Sequence, residues 1–176
     1  MRIIIRDIII TALIALVLYF GFEFTLQQFA IHQLSMAPTL EEGQRIFVSK
    51  TAYFSHGPER GDIIVFKRSP QNPNEIPLIK RVIGLPGEVI KIDSGIVYID
   101  GYPLEEPYIL SQPRYVLNEL TIPEKNYFVL GDNRNSSKDS HEGWTVPEDN
   151  IIGKAWVSIW PLDTWGLIPN YVYAYK

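Results

Sequence analysis

The stretch from Pro77 to Gly101, PLIKRVIGLPGEVIKIDSGIVYIDG, decides the fold. Short runs rich in Ile and Val are cut by Pro86-Gly87 and by Asp93-Ser94-Gly95, and β-branched runs bounded by turn residues read as strands. The alternating runs on either side of Asp93-Ser94-Gly95 predict a hairpin. Outward from here the pattern recurs in residues 44–50 (QRIFVSK), 61–68 (GDIIVFKR), 126–132 (NYFVLGD) and 151–160 (IIGKAWVSIW). After residue 40 no stretch holds the apolar spacing of an amphipathic helix over three turns, and there is no internal repeat. The Pro- and Tyr-rich segment from Gly101 to Pro123 reads as extended, irregular connections. Short strands without helices must bury their apolar faces against one another. The expected domain is therefore mainly β, an antiparallel sheet coiled on itself into a barrel-like form.

Ahead of this domain, Ile8 to Phe22 carries no charge, and Glu23 is followed by the uncharged residues 24–31. The run approaches the roughly 20 residues that span a bilayer core, with Asp7 and Glu23 at the two interfaces and Tyr19 or Phe29 near the headgroups. A cleavable signal peptide is the rival reading, but bulky Gln27, Gln28, Phe29, Ile31 and His32 occupy the place of an A-x-A-like site. The expectation is one uncleaved transmembrane helix within residues 1–30 and an outward-facing domain over 31–176. Arg2 and Arg6 precede the span and no Lys or Arg follows before Arg45, which puts the N-terminus on the cytoplasmic side.

With 176 residues, 46% of them hydrophobic, the chain can supply this anchor and a single domain with a sizeable core. A net charge of −4 and a pI near 5.4 argue against nucleic acid as a partner. The absence of cysteine removes disulfides, thiolate nucleophiles and Cys-ligated zinc. His32, His56 and His141 are scattered and form no H-E-x-x-H, so neither a metal nor a cofactor is expected. Gly84-Leu85-Pro86-Gly87 is a turn rather than a phosphate-binding loop.

Three places could carry chemistry. In Leu78 to Ile83, strand alternation puts Lys80 on one face with Leu78 and Val82. Burial there disfavours the ammonium and makes a general base near neutral pH, whereas an edge strand would keep the same lysine in water as a guard against aggregation. Ser35 lies just past the anchor in LSMAPTL, where Pro38 restricts Ala37 to extended backbone. Its alternative is a turn into a short helix, since Thr39 and Glu42 have capping-box spacing. The polar loop from Gly131 to His141, GDNRNSSKDSH, either orients a catalytic group or satisfies itself as a solvated turn. A Ser35–His141–Asp139 triad competes with a Ser35–Lys80 dyad.

Together these segments resemble the type I signal peptidase family. Residues 35–39 (SMAPT) are similar to its S-M-x-P-T box and 61–66 (GDIIVF) to its G-D-I-V-V-F strand. Residues 80–87 (KRVIGLPG) match its K-R-V-I-G-x-P-G segment, and 131–140 its G-D-N-R-x-x-S-x-D-S box. The resemblance implies Ser35 as nucleophile, Lys80 as general base and Ser137 as the hydroxyl orienting Lys80, with Arg81, Asp132, Asp139 and His141 holding the site together. It implies a small inserted cap, here roughly 89–127, and cleavage of preprotein signal peptides after Ala-x-Ala; to this the sequence itself adds Met36 and neighbouring aliphatic residues as substrate-binding walls. It also implies a cell or thylakoid membrane location and a bilayer partner; the oligomeric state stays open.

Three positions depart from the family pattern. His141 stands where many members have arginine, a substitution typical of cyanobacterial and plastid members. Gly143-Trp144 inverts the usual order. Gln33 replaces a small residue lining the oxyanion hole, so its amide or another main-chain donor must complement the Ser35 N–H. Two other functions compete with the peptidase: a Ser–Lys autoprotease, and a catalytically silent, membrane-tethered β-domain that binds peptides. A silent domain would be free to lose Ser35, Lys80 or Ser137, and all three are present.

Overall fold

The computed structural model describes residues 2–69, 71–72, 74–171 and 173. Its first element, α1, runs from Arg2 to Thr25, and the apolar part from Ile4 to Thr25 is long enough to cross a membrane, about 33 Å at 1.5 Å per residue. The apolar side chains described along it are exposed. Thr11 and Thr25 return their hydroxyls to the carbonyls of Asp7 and Gly21, as polar side chains do in an apolar setting. The helix starts before the charges expected at its boundary. Arg6 and Asp7 lie inside it and pair at 3.0 Å, while the side chain of Arg2, the other orientation signal, lies outside the described residues.

Among the described residues twelve strands follow: β1 (Leu26–Ala30), β2 (Arg45–Ser49), β3 (Ile63–Phe66), β4 (Leu78–Gly84), β5 (Val89–Asp93), β6 (Ile96–Ile99), β7 (Tyr102–Pro103), β8 (Leu117–Thr121), β9 (Asn126–Leu130), β10 (Val146–Pro147), β11 (Ile151–Trp160) and β12 (Gly166–Leu167). One sheet has the order β1-β2-β11-β3-β4-β9-β10, with β12 added to β11, and the second is β7-β6-β5-β8. The pairings are antiparallel. Register shifts at Ala155/Val157, Ser158/Trp160, Ile151/Gly153 and Val82/Gly84 coil the large sheet, since bulges bend and twist a strand. The expected mainly β, coiled antiparallel architecture behind one apolar helix is thus present.

Three local expectations need correction. Residues 26–30, read as part of the anchor, form β1 and pair with β2 from Leu26↔Ser49 to Ala30↔Arg45. The segment 101–123 is not wholly irregular, because it contributes β7 and β8 to the second sheet. No helix starts at Thr39, where the chain makes turns instead. The 93–95 hairpin forms as read: Asp93 pairs with Ile96 across a two-residue turn with Ser94 at φ 52° and Gly95 at φ 80°.

The two faces of the large sheet bury different clusters. Ile63 and Val65 pack with Ile31, Leu40, Ile46 and Val48, whereas Ile64, Phe66 and Val82 pack with Tyr127, Val129 and Val146. Lys80 is the partner of Ile64 and shares the second face with Leu78 and Val82. A further cluster joins Ile83, Phe128 and Leu130 to Ile90, Ile92 and Val97 of the second sheet. That sheet lies within the stretch expected as the cap, although β9 already begins at Asn126, ahead of the 127 boundary.

Candidate active site

Ser35 sits in a single 3₁₀ turn, Leu34–Met36, flanked by extended Gln33 and by Ala37 at φ −63° and ψ 141°, the region left open to a residue before proline. It is 3% exposed, and its carbonyl accepts the Asn133 N–H at 3.1 Å. Lys80, in the middle of β4, is 1% exposed. Its Nζ donates to Ser35 Oγ at 2.7 Å and to the Ile79 carbonyl at 3.0 Å. Burial pushes the Lys80 pKa down from 10.5 to about 8, against the opposing pull of the Asp139 and Asp132 carboxylates. A neutral amine in that position can accept the Ser35 proton along the hydrogen bond already present.

Arg81, next in the chain, points to the opposite face and grips Asp132 with both ends of its guanidinium, Nε to Oδ1 at 2.8 Å and a terminal nitrogen to Oδ2 at 2.7 Å. Its third nitrogen donates to the Gly61 carbonyl, and the Tyr108 ring covers the guanidinium carbon at 4.1 Å. Thr39 donates its hydroxyl to Asp132 at 2.5 Å; this is the role of the residue whose spacing resembled a helix cap. Asp139 accepts the Gly131 N–H at 2.9 Å and faces His141 Nδ1 at 2.6 Å. The His141 ring stacks on Tyr115 at 4.0 Å and stays 21% exposed. The Asp–His half of a triad is therefore built, yet the hydrogen-bond partner of Ser35 Oγ is Lys80.

Other expected site residues are placed differently. Ser137 Oγ is buried without a hydrogen-bond partner, so it makes no bond to Lys80 here. It does lie beside the dyad: a Cβ at Gly131 would run into both Ser137 Oγ and the Ser35 carbonyl, which explains the glycine there. Gln33 is exposed and its side chain makes no capping bond. Met36 has no exposed surface and packs in the core, with Ile79 partly buried against the same cluster.

Two groups escaped the sequence reading. Arg134, buried, donates to the Gly131 carbonyl at 3.1 Å and is clamped by Glu106 through bonds of 2.6 and 2.5 Å. Arg134 lies in the G-D-N-R segment with nothing nearby in sequence to mark its partner, and Glu106 lies in an irregular acidic stretch that carries no motif. Asp62, fully buried, collects Tyr53, Lys154 and Asn170, partners drawn from across the chain. Among the described residues no cluster of His, Asp or Glu is placed to hold a metal ion.

A family model described as signal peptidase, peptidase S26, matches residues 3–160. A probable signal peptidase I-1 from Synechocystis sp. is 44% identical over 149 residues, covering 79% of this chain and 74% of that protein. A signal peptidase I from Leptolyngbya laminosa is 50% identical over 138 residues, 75% of this chain and 68% of that one. A chloroplastic thylakoidal processing peptidase 1 from Arabidopsis thaliana is 33% identical over 141 residues, 75% of this chain and 41% of that protein. With the family match running through the anchor, the coiled sheet and the Ser35 and Lys80 segments, the chain belongs to the signal peptidase family, peptidase S26.

Proposed function

We propose that this chain, a serine endopeptidase of the signal peptidase I type, works by a Ser35–Lys80 dyad and cuts preprotein signal peptides after Ala-x-Ala at a membrane surface. The observation that supports this most is the 2.7 Å bond between a buried lysine and a buried serine hydroxyl. Neutral Lys80 takes the Ser35 proton as Oγ attacks the scissile carbonyl, and returns it to the leaving amine as the peptide C–N bond breaks. A water deprotonated by Lys80 then attacks the acyl ester, its proton returns to Ser35 Oγ as the ester C–O bond breaks, and the carboxylic acid product leaves and ionises in solvent. The Ser35 main-chain N–H is one donor for the oxyanion, with the unbonded Gln33 amide as the second. A substrate bound as a strand presents its −1 and −3 side chains to one wall, with Ile79 as part of it.

The reading places the N-terminus on the cytoplasmic side and the domain outside, on a cell or thylakoid membrane. Cleavage of an Ala-x-Ala signal-peptide substrate by the purified chain tests it. Ser35→Ala and Lys80→Ala should each lower kcat at least about a thousandfold while staying folded, and Lys80→Arg should fail because a guanidinium keeps its proton. Ser137→Ala should cost less. Near-normal turnover in Lys80→Ala with a dead His141→Ala would transfer the base role to the histidine.

A further inference from the structure

The loop that holds Ser35 is itself held by the cap. Asn133 donates its N–H to the Ser35 carbonyl and its Nδ2 to the Leu34 carbonyl, at 3.1 and 3.2 Å. Gly131, packed without a side chain against Ser35 and Ser137, is gripped at both ends of its peptide groups: Asp139 takes its N–H and Arg134 its carbonyl. Arg134 has no exposed side-chain surface, and Glu106, at 5%, is the carboxylate that neutralises it through two parallel bonds. Such a bidentate pair fixes position as well as charge. Glu106 also accepts the Tyr108 hydroxyl at 2.9 Å, and Tyr108 covers the guanidinium of Arg81, the neighbour of Lys80. Asn135 is held in the same way by the Arg114 N–H and by the Gln112 carbonyl, both at 2.9 Å.

We propose that Glu106 is a positioning residue for the Ser35–Lys80 pair, acting from the cap through Arg134 on the main chain of Gly131. It touches neither reacting atom. Its carboxylate sets where the Arg134 fork sits, the fork sets the Gly131 carbonyl, and Gly131 abuts the serine turn. A displacement of that turn by a fraction of an ångström lengthens the Ser35–Lys80 bond, and near-attack geometry is sensitive on that scale. The cap thereby takes part in turnover, beyond any role in covering the substrate. The inference rests on the dyad reading above.

The test is steady-state cleavage of an Ala-x-Ala peptide by the full chain in detergent, with thermal melting of each variant. Glu106→Gln should lower kcat by about tenfold to a hundredfold with KM changed less than about twofold. Glu106→Asp, which keeps the charge but withdraws it by one methylene, should fall between the two. Glu105→Gln, an exposed neighbour, should match the parent. The paired change Glu106→Leu/Arg134→Leu removes both buried charges, which restores folding without restoring the grip on Gly131. It should melt close to the parent and still lose at least about tenfold in kcat, and it decides the matter if Glu106→Gln does not fold. Parent-like kcat in the folded double variant, or in Glu106→Gln, overturns the proposal. A parent chain that fails to cleave the peptide at all overturns the dyad reading instead.

Discussion

Lys80 is held where its charged form is least welcome. An ammonium in this site loses hydration and gains Ser35 Oγ and the Ile79 carbonyl as its direct partners among the described residues, so burial pushes its pKa down from 10.5 to about 8. The rate of peptide cleavage should accordingly rise with pH through about 8, because the neutral amine is the active base. Stability should follow the same sign. Between about 8 and 10.5 the unfolded chain carries the proton and the folded chain does not, so the fold gains stability as pH rises through that window. Lys80→Met should raise the melting temperature at pH 7, by an amount worth roughly 3 kcal/mol, while abolishing turnover. A pH–rate limb that disappears in His141→Ala would point to the histidine as base. At this scale the sequence showed which residue types could react, and the alternation of Leu78, Lys80 and Val82 showed why one of them is buried. It could not show Thr39 reaching Asp132, because that bond spans 93 positions and its spacing with Glu42 imitated a local cap.

The element that joins anchor to domain is β1. Its sequence, LQQFA, lacks strict alternation, and it is a strand because β2 offers an unpaired edge and the core offers a place for Phe29. No linker separates it from α1: the Lys50 N–H donates to the Thr25 carbonyl at 2.9 Å, and Lys50 Nζ reaches the Glu23 carbonyl at the end of the helix. A chain starting at Leu26 should therefore melt like the domain of the full protein. One starting at Ile31 should lose about 3 kcal/mol, the scale of removing a packed aromatic from a core, and should expose β2 as an edge. Urea denaturation of the two chains measures the difference. Equal midpoints would show that β1 contributes nothing to the domain.

On the scale of the whole molecule, the end of α1 lies beside Trp156 of β11, a strand that carries further exposed aromatic surface. Trp156, Trp160 and Trp165 are each about half exposed or more, with Leu162 and Leu167 beside them, and Trp156 shares a groove with Thr25 and Leu26. Indole rings favour the bilayer interface, and an apolar patch next to a membrane-crossing helix lowers its free energy by entering it. The chain starting at Leu26 should still float with phospholipid vesicles, and the triple change Trp156→Ser/Trp160→Ser/Trp165→Ser should reduce that binding at least about tenfold without abolishing peptide cleavage. Vesicle flotation measures the first and the detergent assay the second. In sealed vesicles of known orientation, protease added on the outer side should digest the domain; digestion only from the cytoplasmic side would reverse the proposed topology.

What the sequence determined by itself was set by near neighbours: the apolar run that makes α1, the β-branched runs and turn residues that make the strands, and the left-handed pair Ser94-Gly95 that closes a hairpin. These are decided by backbone sterics and side-chain periodicity within a few residues. Tertiary structure alone decided which polar groups meet. Ser35 and Lys80 are 45 positions apart, Glu106 and Arg134 28, and Lys154 and Asp62 92. A buried charge takes whichever partner the coiled sheet brings within reach, and periodicity along the chain carries no record of that choice.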